Sequence, residues 1–425
     1  MRSDPTRRRD ILLIVFSALG ILSLLIRVVY RLVTTLLPFG AAATTDLASS
    51  LLGAFGLLFC AALLLPMLVL SIRHLQGRMI PPLTLRPVRF WQLAVLVFTS
   101  LLVILAAGLI NGLGRYGWLA ALPFFLLGIG LPILGLLWIA VGGLPTGVRR
   151  VWSAYGIGMV GGTLTALVLE YAVVGVGVVL IGIAALASPD LLTMLNQIKA
   201  QVLNAGGTDI QTMLTVLAPY LTNPLVIFAI LLFASVFTPL IEEAAKPIAL
   251  WFLGKRLHSP AEGFLLGALC GAGFSTMEGI LAASGASQML GFGLAGRAAA
   301  SLMHITASGI MGWGIASLIL KQRPWRVALA YLVSVSLHGL WNGAAIMAVY
   351  GSLRTMTQTA QFDLLGGAIV LVSLGTLLLV LVAALIALPL INRRLRRFLP
   401  ASDVQPADPT LLPQSDIIAP PAIQP

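Results

Sequence analysis

The sequence predicts an all-α protein, a polytopic transmembrane helix bundle of about ten spans with both termini cytoplasmic. Three observations carry that prediction. Hydrophobic residues make up 59% of the 425-residue chain and charged residues only 9%, more apolar sequence than a soluble core can use. The apolar residues come in runs of roughly 20 residues or more, the length that crosses a hydrocarbon layer of about 30 Å. Basic residues cluster in every second connection, the pattern expected when Lys and Arg are retained on the cytoplasmic side.

The runs follow in order. Arg2, Arg7, Arg8 and Arg9 precede the first, 11 to 36, which lacks a small-residue cleavage site and is expected to stay as an anchor. Arg27 and Arg31 lie toward its outer end, from where they can snorkel. The second run, 50 to 72, is followed by Arg73, Arg78 and Arg86. The third and fourth, 90 to 110 and 118 to 142, are separated by little more than Arg115, and Arg149 and Arg150 then precede the fifth, 155 to 187. That run carries one conspicuous acid, Glu170.

The longest external loop, 188 to 223, holds Lys199 and reads as two amphipathic segments separated by Gly206 and Gly207. Such segments suit the membrane surface. The sixth run, 224 to 253, is followed by Lys255 and Arg256, the seventh is 261 to 284, and the eighth, 296 to 320, is followed by Lys321, Arg323 and Arg326. The ninth is 325 to 350, then comes Arg354, and the tenth is 364 to 392, closed by Arg393, Arg394, Arg396 and Arg397. Beyond these a tail rich in Pro, Gln and Asp shows no periodic apolar pattern and is expected to be disordered.

This divides the chain into an N-terminal five-span membrane region (1–187), an external amphipathic loop (188–223), a four-helix core (224–350), a last loop with the C-terminal span (351–392) and a disordered cytoplasmic tail (393–425). The net charge of +12 reads as a topology signal and an attraction to an anionic lipid bilayer. The basic residues are scattered through loops instead of gathered on one face, so no nucleic-acid partner is expected. Cys60 and Cys270 lie inside apolar runs, where free Cys packs as a small hydrophobe.

Most of the chemical potential lies in the sixth to ninth runs. Glu242 and Glu243 are adjacent within an apolar stretch, where ionisable groups ordinarily face a bundle interior or a wet cavity. Lys246 lies four and three residues further on, within helical reach of both carboxylates. Pro239 and Pro247 withhold a donor from the carbonyls of Ser235 and Glu243, so the helix is expected to kink or open around the acid pair. In the seventh run Phe274 and Glu278 share a face, beside a ridge of Gly263, Gly267, Gly271, Ser275 and Gly279 that lets neighbouring helices approach closely. His304 and His338 are the histidines placed within spans, and Ser334, His338 and Asn342 form a polar stripe at four-residue spacing. At about 1.5 Å per residue, Glu242, Glu243, His304 and His338 lie roughly 13 to 20 Å from their helix ends, with Glu278 somewhat nearer the external face. Those depths are compatible with one shared cavity.

In order, the segment EEAAK from Glu242 to Lys246, the segment FSTME from Phe274 to Glu278, the stretch from Arg297 to His304, and the segment HGLWN from His338 to Asn342 resemble the motifs of the PrsW family of intramembrane proteases. The similarity spans about residues 224 to 350. Related prenyl-CAAX processing and bacteriocin-immunity membrane proteases favour a histidine where Glu278 stands, so the Phe274/Glu278 form points to the PrsW branch. The resemblance implies an endopeptidase of the plasma membrane that hydrolyses a peptide bond of a membrane-anchored, anti-sigma-factor-like protein. It also implies catalytic roles for Glu242, Glu243, Glu278, His304, His338 and Asn342, with Lys246, Phe274 and Arg297 in support.

Two mechanisms stay open at this point. In one, Glu242 or Glu243 acts as general base on a water while His304, His338 or Asn342 donates to the developing oxyanion, and no metal takes part. In the other, Glu278, His304 and His338, with one of the paired acids, bind Zn²⁺. Ser275, Ser301 and Ser308 lack a nucleophile-elbow context and read as packing residues. A proton- or ion-coupled transporter using the same buried Glu and His chain is the alternative from another class, although no repeat relates the two halves as many transporter folds require. The sequence leaves the oligomeric state open.

Overall fold

The computed structural model describes residues 5–37, 47–80, 82–83, 86–114, 116–204, 220–221, 223–357 and 363–397. Arg2, Arg115, most of the second amphipathic segment with Gly206 and Gly207, and the tail after Arg397 lie outside the described residues. Ten helices among the described residues are long and apolar enough to cross a membrane. The chain is a multi-pass membrane protein.

The first four spans are single helices: α1 (Pro5–Leu36), α2 (Leu47–Leu75), α3 (Phe90–Asn111) and α4 (Gly117–Val141). The fifth is α5 (Val148–Gly156), a π-helical turn (Ile157–Gly162) and α6 (Thr163–Ala187), followed by α7 (Pro189–Asn204), the first of the two amphipathic segments. The sixth breaks into α8 (Pro224–Leu232), a π-helical turn (Phe233–Phe237), α9 (Thr238–Ala245) and α10 (Ile248–Leu253). Its interruptions fall next to Pro239 and at Pro247, the positions where a missing N–H predicts them. The last four spans are α11 (Pro260–Gly285), α12 (Leu290–Lys321), α13 (Pro324–Thr357) and α14 (Leu364–Arg397). α14 thus runs five residues beyond the apolar run that ends at 392, through its closing arginines.

Local chemistry sets several of these boundaries. Ser259 caps α11 by accepting from the Glu262 N–H at 3.1 Å, and Pro260 occupies the first turn, where its absent donor costs nothing. Asn223 and Pro224 open α8 in the same way. α12 stops at Gln322, whose φ of 48° places it in the left-handed region that closes a helix.

One end of the bundle is a basic face. There Asp10 of α1, 2% exposed, pairs with His74 of α2 at 2.5 Å and with Arg149 of α5. Arg150 pairs with Glu262 of α11. Asn392 of α14 donates to the carbonyls of Ala140 and Gly142 at the end of α4, at 2.8 and 3.1 Å. Two connecting loops are tied by a two-residue antiparallel ladder, β1 (Pro82–Leu83) with β2 (Thr146–Gly147), in the register Pro82 to Gly147 and Leu83 to Thr146. The ladder is confined to this face and leaves the all-α fold intact.

α11 is the central post, buried along most of its length. A Cβ on Gly267 would sit 2.2 Å from the carbonyl oxygen of Ser308 in α12, and one on Gly271 would sit 2.5 Å from the His304 carbonyl oxygen. On its other flank a Cβ on Gly273 would be 2.1 Å from the Tyr155 carbonyl oxygen in α5. Only glycine permits backbones this close. Ser275 continues the ridge with a 2.7 Å hydrogen bond to Ser301, whereas Gly279 stands looser, its nearest neighbour 3.6 Å away. α11 also touches α2 and α4, so the second, fourth and fifth spans pack directly on the helix that carries Glu278.

Candidate active site

The buried polar residues of four spans meet at one point. The centre is the ammonium of Lys246, fully buried at the break between α9 and α10. Its Nζ lies 2.6 Å from Glu243 Oε1, 2.8 Å from Glu242 Oε2, 2.8 Å from His304 Nδ1 and 3.5 Å from His338 Nδ1. The Phe274 ring lies beneath it, 4.6 Å from Nζ to the centroid, a cation–π contact that helps retain a desolvated charge. Phe274 also packs on His304, and the two imidazoles stand edge to face 5.1 Å apart.

Each histidine is held from behind by a carboxylate. Glu278 Oε2 lies 2.9 Å from His304 Nε2 and 2.5 Å from Arg297 Nη2. Glu243 Oε1 lies 2.9 Å from His338 Nδ1. With a proton on His304 Nε2 and on His338 Nδ1, both contacts become charge-assisted hydrogen bonds. His304 Nδ1 and His338 Nε2 then offer lone pairs toward Glu242, whose Oε2 is 3.8 Å from His338 Nε2. Carboxylates that fix the tautomer and orientation of an imidazole are a recurrent support for metal-binding histidines.

Glu242, His304 and His338, all buried, each offer one ligand atom, and the three atoms lie within 4.8 Å of one another. Among the described residues Glu242 Oε2 is held by the Lys246 ion pair alone, and Glu243 Oε2 has no hydrogen-bond partner. Two imidazoles and a carboxylate form a donor set suited to Zn²⁺, so the residues present fit a divalent metal. The ammonium already stands against two of the three.

Relative to the sequence expectations, the structure brings Glu242, Glu243, Lys246, Phe274, Glu278, Arg297, His304 and His338 together. Glu278 belongs to the constellation from the far side of His304: it contacts the ring nitrogen opposite the converging atoms and stands outside the converging trio. Asn342 is placed elsewhere, its Nδ2 donating at 2.8 Å to the Ala234 carbonyl in the π-helical turn. It thereby satisfies a carbonyl of the widened turn. The serines are packing residues here: Ser275 and Ser301 bond to each other, and Ser301 also donates to the Arg297 carbonyl at 2.7 Å.

Glu170, an acid the sequence could not place, lies beside the side chains of Glu242 and Thr238. The fifth span therefore contributes to the site. Only a contact between α6 and α9 reveals this, and periodicity alone carries no sign of which face of the fifth span meets the sixth.

A helical membrane bundle that buries two imidazoles and a carboxylate at one point, each imidazole backed by a further carboxylate, has the equipment of a membrane-embedded metallohydrolase. Residues 147–374 match the family model described as PrsW family intramembrane metalloprotease. The match covers more than half of the chain, and the protein belongs to the PrsW family of intramembrane proteases. The matched region is wider than the motif-bearing stretch 224 to 350: it takes in the fifth span with Glu170 and reaches into the tenth. No curated protein and no solved structure matches the chain. Family membership makes the protein a protease and does not favour ion-coupled transport.

Proposed function

We propose that the protein cleaves a single-span, anti-sigma-factor-like membrane protein near the outer face of the plasma membrane, with both of its own termini cytoplasmic. The observation that carries this reading is the convergence of Glu242, His304 and His338 within 4.8 Å at a buried point. The direction of approach follows from Glu278. It lies 18 residues along α11 from Pro260, about 27 Å from the basic face, and its side chain is 34% exposed while Glu242, His304 and His338 are almost fully covered. An incoming peptide bond and its water reach the cluster from that side.

In this reading Glu242, His304 and His338 hold a Zn²⁺ ion, which when bound supplies Lewis acidity for the scissile carbonyl and for ionisation of water. Glu278 and Glu243 keep His304 and His338 in the tautomers that present their free nitrogens. Glu243 Oε2, buried and unpaired, is the acceptor for the proton that water gives up, and Lys246 balances negative charge as it develops at the reacting centre. Arg297 holds Glu278 against His304. Asn342 is assigned to the helix break and not to the oxyanion.

The test is cleavage of a single-span substrate by the purified protein in proteoliposomes, with metal content measured on the same samples. Wild type should release two fragments and carry stoichiometric zinc, and a chelator should remove both zinc and cleavage. Glu242→Gln and His338→Ala should be inactive and metal-poor. Cleavage that persists in Glu242→Gln would rule the reading out.

A further inference from the structure

Two cavities of about 360 Å³ each share a wall at the basic face. The first is apolar and lies between α2, α4, α5 and α11, lined among others by Phe59, Leu63, Ile133, Leu137, Leu265 and Leu269. The polar side chains at its inner end are spent on each other, since Tyr155 Oη and Thr276 Oγ1 form a 2.7 Å hydrogen bond. It has almost nothing to offer a polar ligand. The second is lined by His74, Arg78, Arg149 and Arg150, with no acidic residue in its lining.

The β1–β2 ladder forms the partition. Leu83 and Thr146 face the apolar cavity, while Ile80 and Gly147 face the basic one. Val151 and Arg150, adjacent in α5, divide in the same way. Trp138 and Trp152 border the apolar cavity, and Trp138 Nε1 donates to the Arg86 carbonyl at 2.8 Å, as amphipathic rings do at headgroup level.

We propose that this composite site binds one anionic phospholipid, an acyl chain in the apolar cavity and the phosphate against Arg78 and Arg149, with Arg150 beside them adding positive charge. Charge complementarity selects the headgroup. Asp10 engages Arg149 through one side of its guanidinium, whereas Arg150 is held by Glu262 at Nη1 and donates from Nη2 to the Arg256 carbonyl at 3.0 Å; Arg9 and Arg256 stand close enough to Arg149 to add to the local positive field. The two acids are outnumbered by Arg9, Arg78, Arg149, Arg150 and Arg256. A guanidinium fork holds phosphate oxygens bidentately, which a choline headgroup's own cation would oppose.

The site also lies against the catalytic helix. Thr276, which lines the apolar cavity, is two residues before Glu278, and Tyr155 of the same cavity abuts Gly273. A bound chain therefore supports the α5–α11 contact from the side opposite α12.

The experiment uses the full chain in detergent with added phosphatidylglycerol, phosphatidylcholine or glycerol 3-phosphate, read by native mass spectrometry and thermal unfolding. About one phosphatidylglycerol should be retained and should raise the melting temperature, with phosphatidylcholine at least several-fold weaker and glycerol 3-phosphate without effect. Arg78→Glu, on an exposed side chain, should remove the preference for phosphatidylglycerol over phosphatidylcholine. On wild-type protein, phosphatidylglycerol carrying a photoreactive acyl chain should crosslink to Phe59, Leu137 or Leu265, and Leu137→Trp should abolish that crosslink. Equal retention of both lipids, an unchanged preference in Arg78→Glu, or crosslinks confined to the outer surface of the bundle would each overturn the proposal. Stabilisation by glycerol 3-phosphate alone would reduce the site to a simple anion pocket and overturn it as well. Proteolysis is not part of these readouts, so they stand apart from the proposed cleavage reaction.

Discussion

Replacing Lys246 with Met tests whether the buried ammonium and a metal ion use the same donors. Methionine keeps most of the side chain's length and removes the charge. In the native site Nζ is the cation for Glu243 at 2.6 Å and Glu242 at 2.8 Å, and it abuts His304 Nδ1 at 2.8 Å. Without it, two carboxylates buried to 6% and 0% exposure lose their counter-charge. Breaking a buried pair by removing one partner costs about 3–5 kcal/mol. At about 2–4 °C per kcal/mol, the figure for a domain of moderate size, the melting temperature should fall by on the order of 10 °C. That loss applies to metal-free protein. A divalent ion among Glu242, His304 and His338 supplies the missing charge, and in Lys246→Met it no longer competes with an ammonium for the His304 lone pair. Zinc at about 100 times its Kd for Lys246→Met stabilises that variant by about 2.7 kcal/mol, whereas wild type, in which the ammonium competes for the same donors, gains less, so the deficit should shrink. The assay is thermal unfolding of wild type and Lys246→Met in detergent, each with chelator and with zinc. A deficit of the same size in both conditions would refute the reasoning, because it would mean that ammonium and metal do not share donors.

Three other outcomes follow from the geometry. Glu278→Gln removes the charge behind His304 Nε2 and should weaken zinc binding by about 10–100-fold in a chelator competition, the usual cost of losing an orienting carboxylate, with the protein still folded. Asn342→Ala withdraws the donor from the Ala234 carbonyl and should lower stability by about 1 kcal/mol; a fall in kcat of about 10²–10³ with unchanged stability would instead mark it as an oxyanion donor. Gly271→Ala places a methyl group 2.5 Å from the His304 carbonyl oxygen, and the resulting separation of α11 from α12 should cost about 1–3 kcal/mol in unfolding measurements and lower activity with it.

The spans and the polar constellation were legible because charges stand out against an apolar background. Glu242, Glu243, Glu278, His304 and His338 could be singled out on hydropathy alone, and Pro239 and Pro247 marked where the sixth span would open. What could not be read depends on which faces meet. Glu278 was legible as a site residue, but its position behind His304 depends on the rotation of α11 against α12, which the glycine contacts set. The partner of Asn342 depends on a π-helical turn that places the Ala234 carbonyl within reach, and such turns leave no periodic trace. Glu170 needed the contact between α6 and α9. The β1–β2 ladder is two residues long on each side, too short for any alternation of apolar and polar residues to announce it.

Glycines grip α11 on both flanks, with carbonyl oxygens of α5 and α12 standing where side chains would otherwise be. A rod clamped in this way has no freedom to slide or swivel, and Glu278 and Phe274 are fixed with it. The sixth span is the less constrained wall of the cluster, cut into three short pieces with its hydrogen-bond ladder open at two places. The immobile half of the chemistry and the less constrained half thus lie on different helices, with Lys246 at the lower joint.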